Sequence, residues 1–494
     1  MALIIAVSCS FLALPMFSPL SPFGAIFPNN RANPGSSWSW SSKTSYLNHT
    51  RDVISMVPIF PGTPCYYTNS VDVMKQILGN ESKLNLVKPQ DLTLARILGD
   101  SLSSASGDVW RRHRRVVAPA FTNKIFSSVW KEARAVYDQM LQAEGWSLQT
   151  DIMFVEAHSF LLKFTFMIIS KCGFGFATSW SPPESGAMAF PEALRVVSEI
   201  IVPRMVLPSW AYKLPVKSLR RIGDAWSIVA SFISASIDTR RNDQMDGADL
   251  DDASLPGDIL NRLVASSLGT QKYSLSEQEV VANMFSLMFA GHETTASGLM
   301  STFVYLALYQ DEQDKAFQEV KAAFGTHNLS ELIDSSQLSR TLACFLEAQR
   351  LCPAALFFPR EMTEDVPIAV ARPTASTVVL KKGALMIFDL IAMFRNPYLF
   401  QDPDRFCPER WIGASEQEVG MFGMGPRACV GRKFAQVEAL AILASFLFDW
   451  KFEPVLGEGE TAEKYEERAM GCARLSGTAF TFDRIPLRLV KRIP

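Results

Sequence analysis

Ten residues late in the chain constrain it more than any others: Phe422-Gly423-Met424-Gly425-Pro426-Arg427-Ala428-Cys429-Val430-Gly431. They set one cysteine two residues after an arginine, between glycines that free the backbone to bend, and just before a run with helical periodicity. Chance matching of the five fixed positions in F-x-x-G-x-R-x-C-x-G has odds on the order of one in ten thousand, so the run demands a chemical explanation. Such a loop suits a thiolate held against a flat, negatively charged metal cofactor. An isolated cysteine is ordinarily an inert core thiol. The eight cysteines (Cys9, Cys65, Cys172, Cys344, Cys352, Cys407, Cys429 and Cys472) are scattered without a C-x-x-C pair, which reads as reduced thiols rather than a disulfide framework. The five histidines make no H-x-x-x-H cluster, which argues against a zinc hydrolase.

With 48% hydrophobic and 20% charged residues, the 494-residue chain can bury a large core. A net charge of −2 leaves no footprint for nucleic acid. No charged side chain precedes Arg31, and Ala2–Leu14 is almost wholly apolar before Pro15, Pro19, Pro22 and Pro28. A spanning helix needs about 20 apolar residues. Residues 1–30 are therefore expected to form a hydrophobic membrane anchor and hinge, with residues 31–494 as the working domain. A cleaved signal peptide and a buried N-terminal segment are the alternatives, and the missing basic n-region disfavours the first.

Pro28–Ser42 reads as an irregular hinge, and Val53–Phe60 and Cys65–Asn69 as strands. Helical patterns cover Val71–Leu78, Val109–Val117, Lys124–Gln142, Met153–Lys171, Ala193–Ile201 and Lys217–Arg241. Acidic Asn242–Pro256 reads as a solvated loop. Leu275-Ser276-Glu277 then opens a helix, apolar nearly all round, that runs to about Leu308 and crosses the interior. Short strands such as Thr377–Leu380 and Ala384–Phe388 follow. The expected fold class is mainly α with small β-sheets (α+β), as a single large domain around the long central helix.

Three further constellations accompany the cysteine loop. The central helix carries Ala290-Gly291-His292-Glu293-Thr294-Thr295, an acid beside an alcohol among small residues, a pair suited to proton delivery. Glu347 and Arg350 share a helix face at i and i+3, followed by Pro353 and later by Phe406-Cys407-Pro408-Glu409-Arg410-Trp411. Trp110 and Arg114 share a face at i and i+4, with Arg111, Arg112 and Arg115 round the helix from it. Those three arginines read either as a solvated basic face or, with Arg432 and Lys433, as a docking patch for an acidic partner.

In this order across Trp110–Gly431, the four segments resemble the cytochrome P-450 haem-thiolate monooxygenases. The resemblance implies a P-450-like haem domain holding haem b (iron protoporphyrin IX), with Cys429 as axial ligand to the iron. It implies Phe422, Arg427, Gly425 and Gly431 around that ligand, and Trp110, Arg114 and Arg360 at the haem propionates. Ala290 and Gly291 would let the ring and oxygen approach the helix, with Thr294 and Glu293 as the catalytic alcohol and acid. Glu347, Arg350 and Arg410 would form a buried structural triad. A thiolate is the most electron-donating axial ligand available to haem iron, which is what O–O cleavage needs.

By the same resemblance, Phe285, Phe289, Ala354 and Phe357 would wall a pocket for a lipophilic molecule such as a terpenoid, fatty acid or aromatic. One atom of O2 would enter that substrate. Electrons would come from NADPH through an NADPH–cytochrome reductase, with cytochrome b5 as a second donor, because Gly423-Met424-Gly425 is too short for a dinucleotide fingerprint. A monomer on the cytosolic face of the endoplasmic reticulum membrane, serving secondary metabolism or xenobiotic oxidation, completes the expectation. The sequons at Asn48, Asn80 and Asn328 matter only if the domain faces a lumen. The chain departs from the family's proline-rich hinge at Pro28–Ser42, whose tryptophans resemble fungal (basidiomycete) members. Two rival readings use the same loop: a haem-thiolate isomerase or dehydratase needing no external electrons, and a haem sensor needing no proton-relay helix.

Overall fold

Helix-forming runs with apolar stripes dominate the structure, a computed structural model that describes residues 38–42, 50–57, 64–80, 86–89, 99–181, 188, 190–199, 209–246, 258–269, 273–326, 335–476, 479–482 and 485–492. In chain order the helices are α1 (Trp38–Ser42), α2 (Val71–Leu78), α3 (Gly107–Val117), α4 (Asn123–Ala143), α5 (Ala157–Phe174), α6 (Phe190–Glu199) and α7 (Lys217–Met245). They continue with α8 (Asp258–Ser267), α9 (Glu277–Leu308), α10 (Gln310–Thr326), α11 (Ser339–Leu351), α12 (Leu390–Phe394), α13 (Arg432–Asp449) and α14 (Ala462–Gly471). The strands are β1 (Val53–Met56), β2 (Cys65–Thr68), β3 (Asp151–Phe154), β4 (Phe357–Glu361), β5 (Val366–Val370), β6 (Ser376–Leu380), β7 (Leu385–Asp389), β8 (Trp450–Pro454), β9 (Ala473–Ser476), β10 (Ala479–Phe482) and β11 (Leu487–Lys491).

The 32-residue α9 organises the rest. Ser276 Oγ accepts from the Glu279 N–H at 3.3 Å while the Ser276 N–H donates to Glu279 Oε2 at 2.8 Å, a reciprocal cap that marks where the helix begins. Its length is about 48 Å at 1.5 Å per residue, enough to cross the molecule. It packs against α5, α11, α13 and β10, so most of its surface is buried.

Four small sheets flank the helices. The largest has the order β1-β2-β7-β4, joining N-terminal strands to strands more than 300 residues later: Tyr67 pairs in parallel with Ile387, and Arg360 antiparallel with Met386. The others are β3-β11-β8 and the pairs β5-β6 and β9-β10.

The structure corrects three local expectations. The helix expected over Met153–Lys171 begins only at Ala157, because Asp151–Phe154 alternates exposed and buried residues and pairs with β11. The helix expected to stop at Arg241 runs to Met245, and residues 247–257 of the acidic loop lie outside the described residues. The irregular hinge ends in an ordered helix, α1, because Trp38 and Trp40 are buried. Trp38 meets Tyr67 edge-on at 5.2 Å, Trp40 Nε1 donates to Met470 O at 3.1 Å, and the Trp40 ring packs on Phe480 at 4.8 Å. The expected anchor at residues 1–30 lies outside the described residues. Among the described residues no helix is long and apolar enough to cross a membrane.

Asp389 ties α1 to the large sheet. It accepts a hydrogen bond from Ser39 Oγ and caps α12 by accepting the Ala392 N–H at 3.1 Å. Burial raises its carboxyl from 3.8 to about 6, against the opposing hydrogen bonds from Ser39, Ala392 and Ile391. The folded state thus binds this proton more tightly than the unfolded chain. Its contribution is full below pH 3.8 and is lost as pH rises through about 6, a change of about 3 kcal/mol. Asp389→Asn keeps an oxygen for the cap and is expected to flatten the dependence of Tm on pH between 4 and 6. Identical pH slopes for both proteins in thermal unfolding would refute this.

Candidate functional site

The segment after Met421 turns sharply before α13. Gly425 has φ +66°, and a Cβ there would run into the Leu78 carbonyl at the end of α2, so only glycine seats the loop against that helix. This packing, rather than clearance for a cofactor, is what the structure assigns to Gly425. The Ala428 N–H donates to Gly425 O at 3.1 Å and the Cys429 N–H to Phe422 O at 2.8 Å, closing the turn. The Cys429 sulfur ends up surrounded by protein yet open to a cavity. Burial raises its thiol pKa, while the Gly431 N–H, Arg114 and Arg432 pull it down. A bound cation would complete the shift to thiolate.

Helix α3 buttresses this loop from outside. Arg114 Nη1 donates to Ala428 O at 3.1 Å, and burial lowers its pKa while Cys429 raises it. Arg427 stacks on the Trp110 ring at 4.5 Å and donates to Ala105 O at 2.8 Å. Trp110 and Arg114 therefore stand against the loop, whereas Arg427 reaches the cavity. Of the basic face, Arg112 pairs with Glu279 and Arg115 lies over Tyr273 at 4.8 Å, so both turn towards the start of α9. Arg111 pairs with Asp108, and Arg432 with Glu416 at 3.8 Å.

The cavity measures about 310 Å³. Cys429, Gly431 and Phe422 line it from the loop, and Ala290, Gly291 and Thr294 from α9. Arg360, itself 5% exposed, contributes a second cation and Lys88 a third. A thiol facing a small-residue helix, with three cations round the same space, suits a flat metal-bearing group with anionic edges. Gly291 does a second job: a Cβ there would meet Ile169 of α5 at 3.0 Å. Lys88 was not foreseen, because it sits in an irregular segment with no motif around it. Among the described residues no cluster of His, Cys, Asp or Glu could hold a bare metal ion.

Glu293 and Thr294 do not share this cavity. Successive residues on a helix are about 100° apart. Thr294 opens to the main cavity, where its Oγ1 donates to Ala290 O at 2.8 Å. Glu293, 3% exposed, lines a separate cavity of about 180 Å³, mixed in character, with Ser159, Lys163, Phe166, Arg195 and His292. The acid and the alcohol thus address two different faces of α9, about 100° apart, a correction to the single distal pair read from sequence. Burial lowers His292 to about 4, so it is neutral, and its Nδ1–H donates to Met288 O at 2.9 Å. A second acid, Glu438 on α13, lies fully buried beside Thr295, and burial holds it well above the carboxylate range. Its signal in the sequence was a lone acid between Val437 and the apolar run Ala439–Leu443.

The pocket wall also needs correction. Ala354 lines the cavity, but Phe285, Phe289 and Phe357 do not. Phe285 stacks on Phe289 at 5.7 Å and meets Trp226 at 5.7 Å, so the 285/289 stripe faces α7 while Leu287 faces the cavity. Phe357 packs into the sheet's own core, leaving Phe358 on the wall.

Behind the cavity, the remaining motif forms a cluster around a buried ion pair. Arg350 Nε and Nη2 each meet Glu347 at 2.9 Å, and Nη1 donates to Phe394 O at 2.7 Å and Pro403 O at 2.6 Å. Glu347 also accepts from Arg410 Nε at 3.3 Å, Trp411 Nε1 at 2.9 Å and the Cys407 N–H at 2.9 Å. Glu347 and Arg350 are 0% exposed while the Arg410 side chain reaches the surface at 16%, so the group ties buried segments to the outside of the molecule.

The Cytochrome P450 family model matches residues 54–472. Cytochrome P450 monooxygenase 124 of Postia placenta is 27% identical over 475 residues, covering 94% of this chain and 90% of that protein. Human Cytochrome P450 4F12 is 30% identical over 395 residues, 74% of this chain and 72% of its own. A zebra fish cytochrome P450 solved with progesterone superposes with a TM-score of 0.69 at 18% identity, covering 92% of this chain and 98% of that one.

Proposed function

The chain belongs to the cytochrome P450 family and is a haem-thiolate monooxygenase; from that premise we propose which residues carry the reaction and what it acts on. The haem, when bound, supplies the iron at which O2 is reduced and one oxygen atom is passed to an organic substrate. Cys429 would hold the haem iron through its sulfur, and Arg114, Arg432 and the Gly431 N–H would favour its thiolate form. Arg360, Arg427 and Lys88 hold the propionate edge, with Trp110 steadying Arg427. The observation that carries this reading is that the Cys429 sulfur and the Thr294 hydroxyl open into one cavity.

Thr294 rotates from Ala290 O to hold a proton over the oxygen side of the cavity. Glu293 takes protons from the second cavity, beside Lys163 and Arg195, and passes them towards Thr294 on the neighbouring face of the helix. Phe121, Leu287, Phe358 and Leu390 on the wall favour a lipophilic substrate of terpenoid, fatty acid or aromatic type. Electrons come from NADPH through a flavoprotein reductase docking on the basic side of the Cys429 loop. Residues 31–494 form the working domain, and residues 1–30 attach it to the endoplasmic reticulum membrane on the cytosolic side. That last step rests on the sequence alone.

The test is oxygen consumption that needs both NADPH and reductase and rises with substrate. Its absence across a panel of terpenoids, sterols, fatty acids and aromatics would sink the reading in favour of an isomerase, dehydratase or sensor. In the same assay Thr294→Ala is expected to cut product formed per NADPH by about 10-fold while NADPH use continues, since proton delivery contributes about 100-fold or more in such steps. Unchanged coupling would remove Thr294 from the mechanism.

A further inference from the structure

The main cavity holds a buried polar side chain to which the reaction gives no work. Gln349 lies on α11 within the Glu347–Arg350 turn, but it faces the cavity rather than the ion cluster. It is 7% exposed. Its Oε1 accepts the Ala354 N–H at 3.4 Å, and because that partner is a donor, the orientation of the amide is set. Nε2 is then left buried without a hydrogen-bond partner in the protein.

The opposing helix explains why the amide stays there. Gly298 lies one turn beyond Thr294 on α9, and a Cβ at that position would sit 2.6 Å from Gln349 Nε2 and 2.9 Å from the Phe345 ring. A bare Cα is what admits the glutamine against the central helix. The Gly298 carbonyl is already taken by Thr302 Oγ1 at 2.8 Å. Phe345, Ala354, Ala355 and Leu390 on the cavity wall bring no side-chain acceptor, and the Thr294 and Thr295 hydroxyls on the same wall are not hydrogen-bonded to Nε2. Buried donors in folded proteins nearly always find a partner, so this one is met by what fills the cavity.

We propose that Gln349 is a specificity-determining residue whose Nε2 donates a hydrogen bond to a neutral oxygen of the substrate: a carbonyl, ether or hydroxyl oxygen. The inference rests on the main cavity being the monooxygenase substrate site and narrows the substrate to a lipophile that already carries oxygen.

The test uses the haem-loaded full chain and two probes of one skeleton, fluorene and its ketone fluorenone, titrated through the haem absorption change. The wild type is expected to bind the ketone about 10-fold tighter, the yield of one well-formed hydrogen bond. Gln349→Met, similar in shape but without the donor, is expected to bring that ratio near one, and Gln349→Glu below one. Without ligand, Gln349→Met is expected to unfold slightly below the wild type, because it also removes the acceptor of the Ala354 N–H. Fluorenone should raise Tm in the wild type alone. A ratio unchanged by Gln349→Met would assign Nε2 to water and overturn the inference. A wild-type protein without the thiolate-type carbonyl spectrum would sink the functional reading instead, and the fluorenone-induced Tm shift, present in the wild type and lost in Gln349→Met, would still decide Gln349.

Discussion

Cys429→Ala is expected to fold and to lose the thiolate-type absorption of its reduced carbonyl complex completely. The loop is held by Gly425 against Leu78, by Arg114 on Ala428 O and by backbone bonds around the turn, none of which uses the sulfur. Removing the thiol therefore takes away the ligand and leaves its seat. Monooxygenase turnover should fall by more than about 100-fold, the upper end of what losing an outer partner of a metal site costs. The measurements are the carbonyl difference spectrum, haem content and far-UV circular dichroism of purified protein. A surviving thiolate-type spectrum would refute the ligand assignment. A collapsed fold would show the sulfur to be structural as well.

The second large effect is expected at Glu347. Alanine there strands the Arg350 guanidinium, which keeps its three carbonyl partners but loses its counter-charge in a place with no water. It also orphans the Cys407 N–H and the Trp411 indole N–H. Breaking a buried pair from one side costs about 3–5 kcal/mol, against a total stability of about 5–15 kcal/mol. Glu347→Ala should therefore yield little soluble haem-loaded protein at 37 °C and a markedly lower Tm. Glu347→Gln retains an oxygen for Cys407 and Trp411 and should fall between. Wild-type yield and Tm in Glu347→Ala would show that the cluster is dispensable.

What could be read beforehand follows from what the chemistry needs. Cys429, Thr294, Glu347 and Arg350 were legible because each occupies a fixed type at a fixed spacing, whatever the surrounding fold. Leu275-Ser276-Glu277 also marked the start of α9 to within a residue. The facing of α9 was not legible. A helix apolar all round has no preferred side, so nothing distinguished Leu287, on the cavity, from Phe285 and Phe289, packed on Trp226. The same blindness merged Glu293 with Thr294, which only a helical rotation sends to different cavities. Gln349 was hidden in a variable position between two named motif residues, and its meaning depends on Gly298, fifty-one positions earlier. The large sheet was illegible for another reason: strand content shows locally, whereas partners such as Tyr67 and Ile387 are chosen by packing across the whole chain.

The seating of Trp40 has a consequence for assembly. Its indole N–H is bonded to Met470 O, 430 residues away, and its ring to Phe480 near the end of the chain. Synthesis proceeds from the N-terminus, so this tryptophan emerges early and its site exists only when the last hairpin has left the ribosome. Until then the Trp40 indole stays uncovered, a long-lived liability for aggregation and a natural handle for a chaperone. Truncating the final fifteen to twenty residues should therefore be felt first at the opposite end of the polypeptide, as a tryptophan that never becomes protected from quencher.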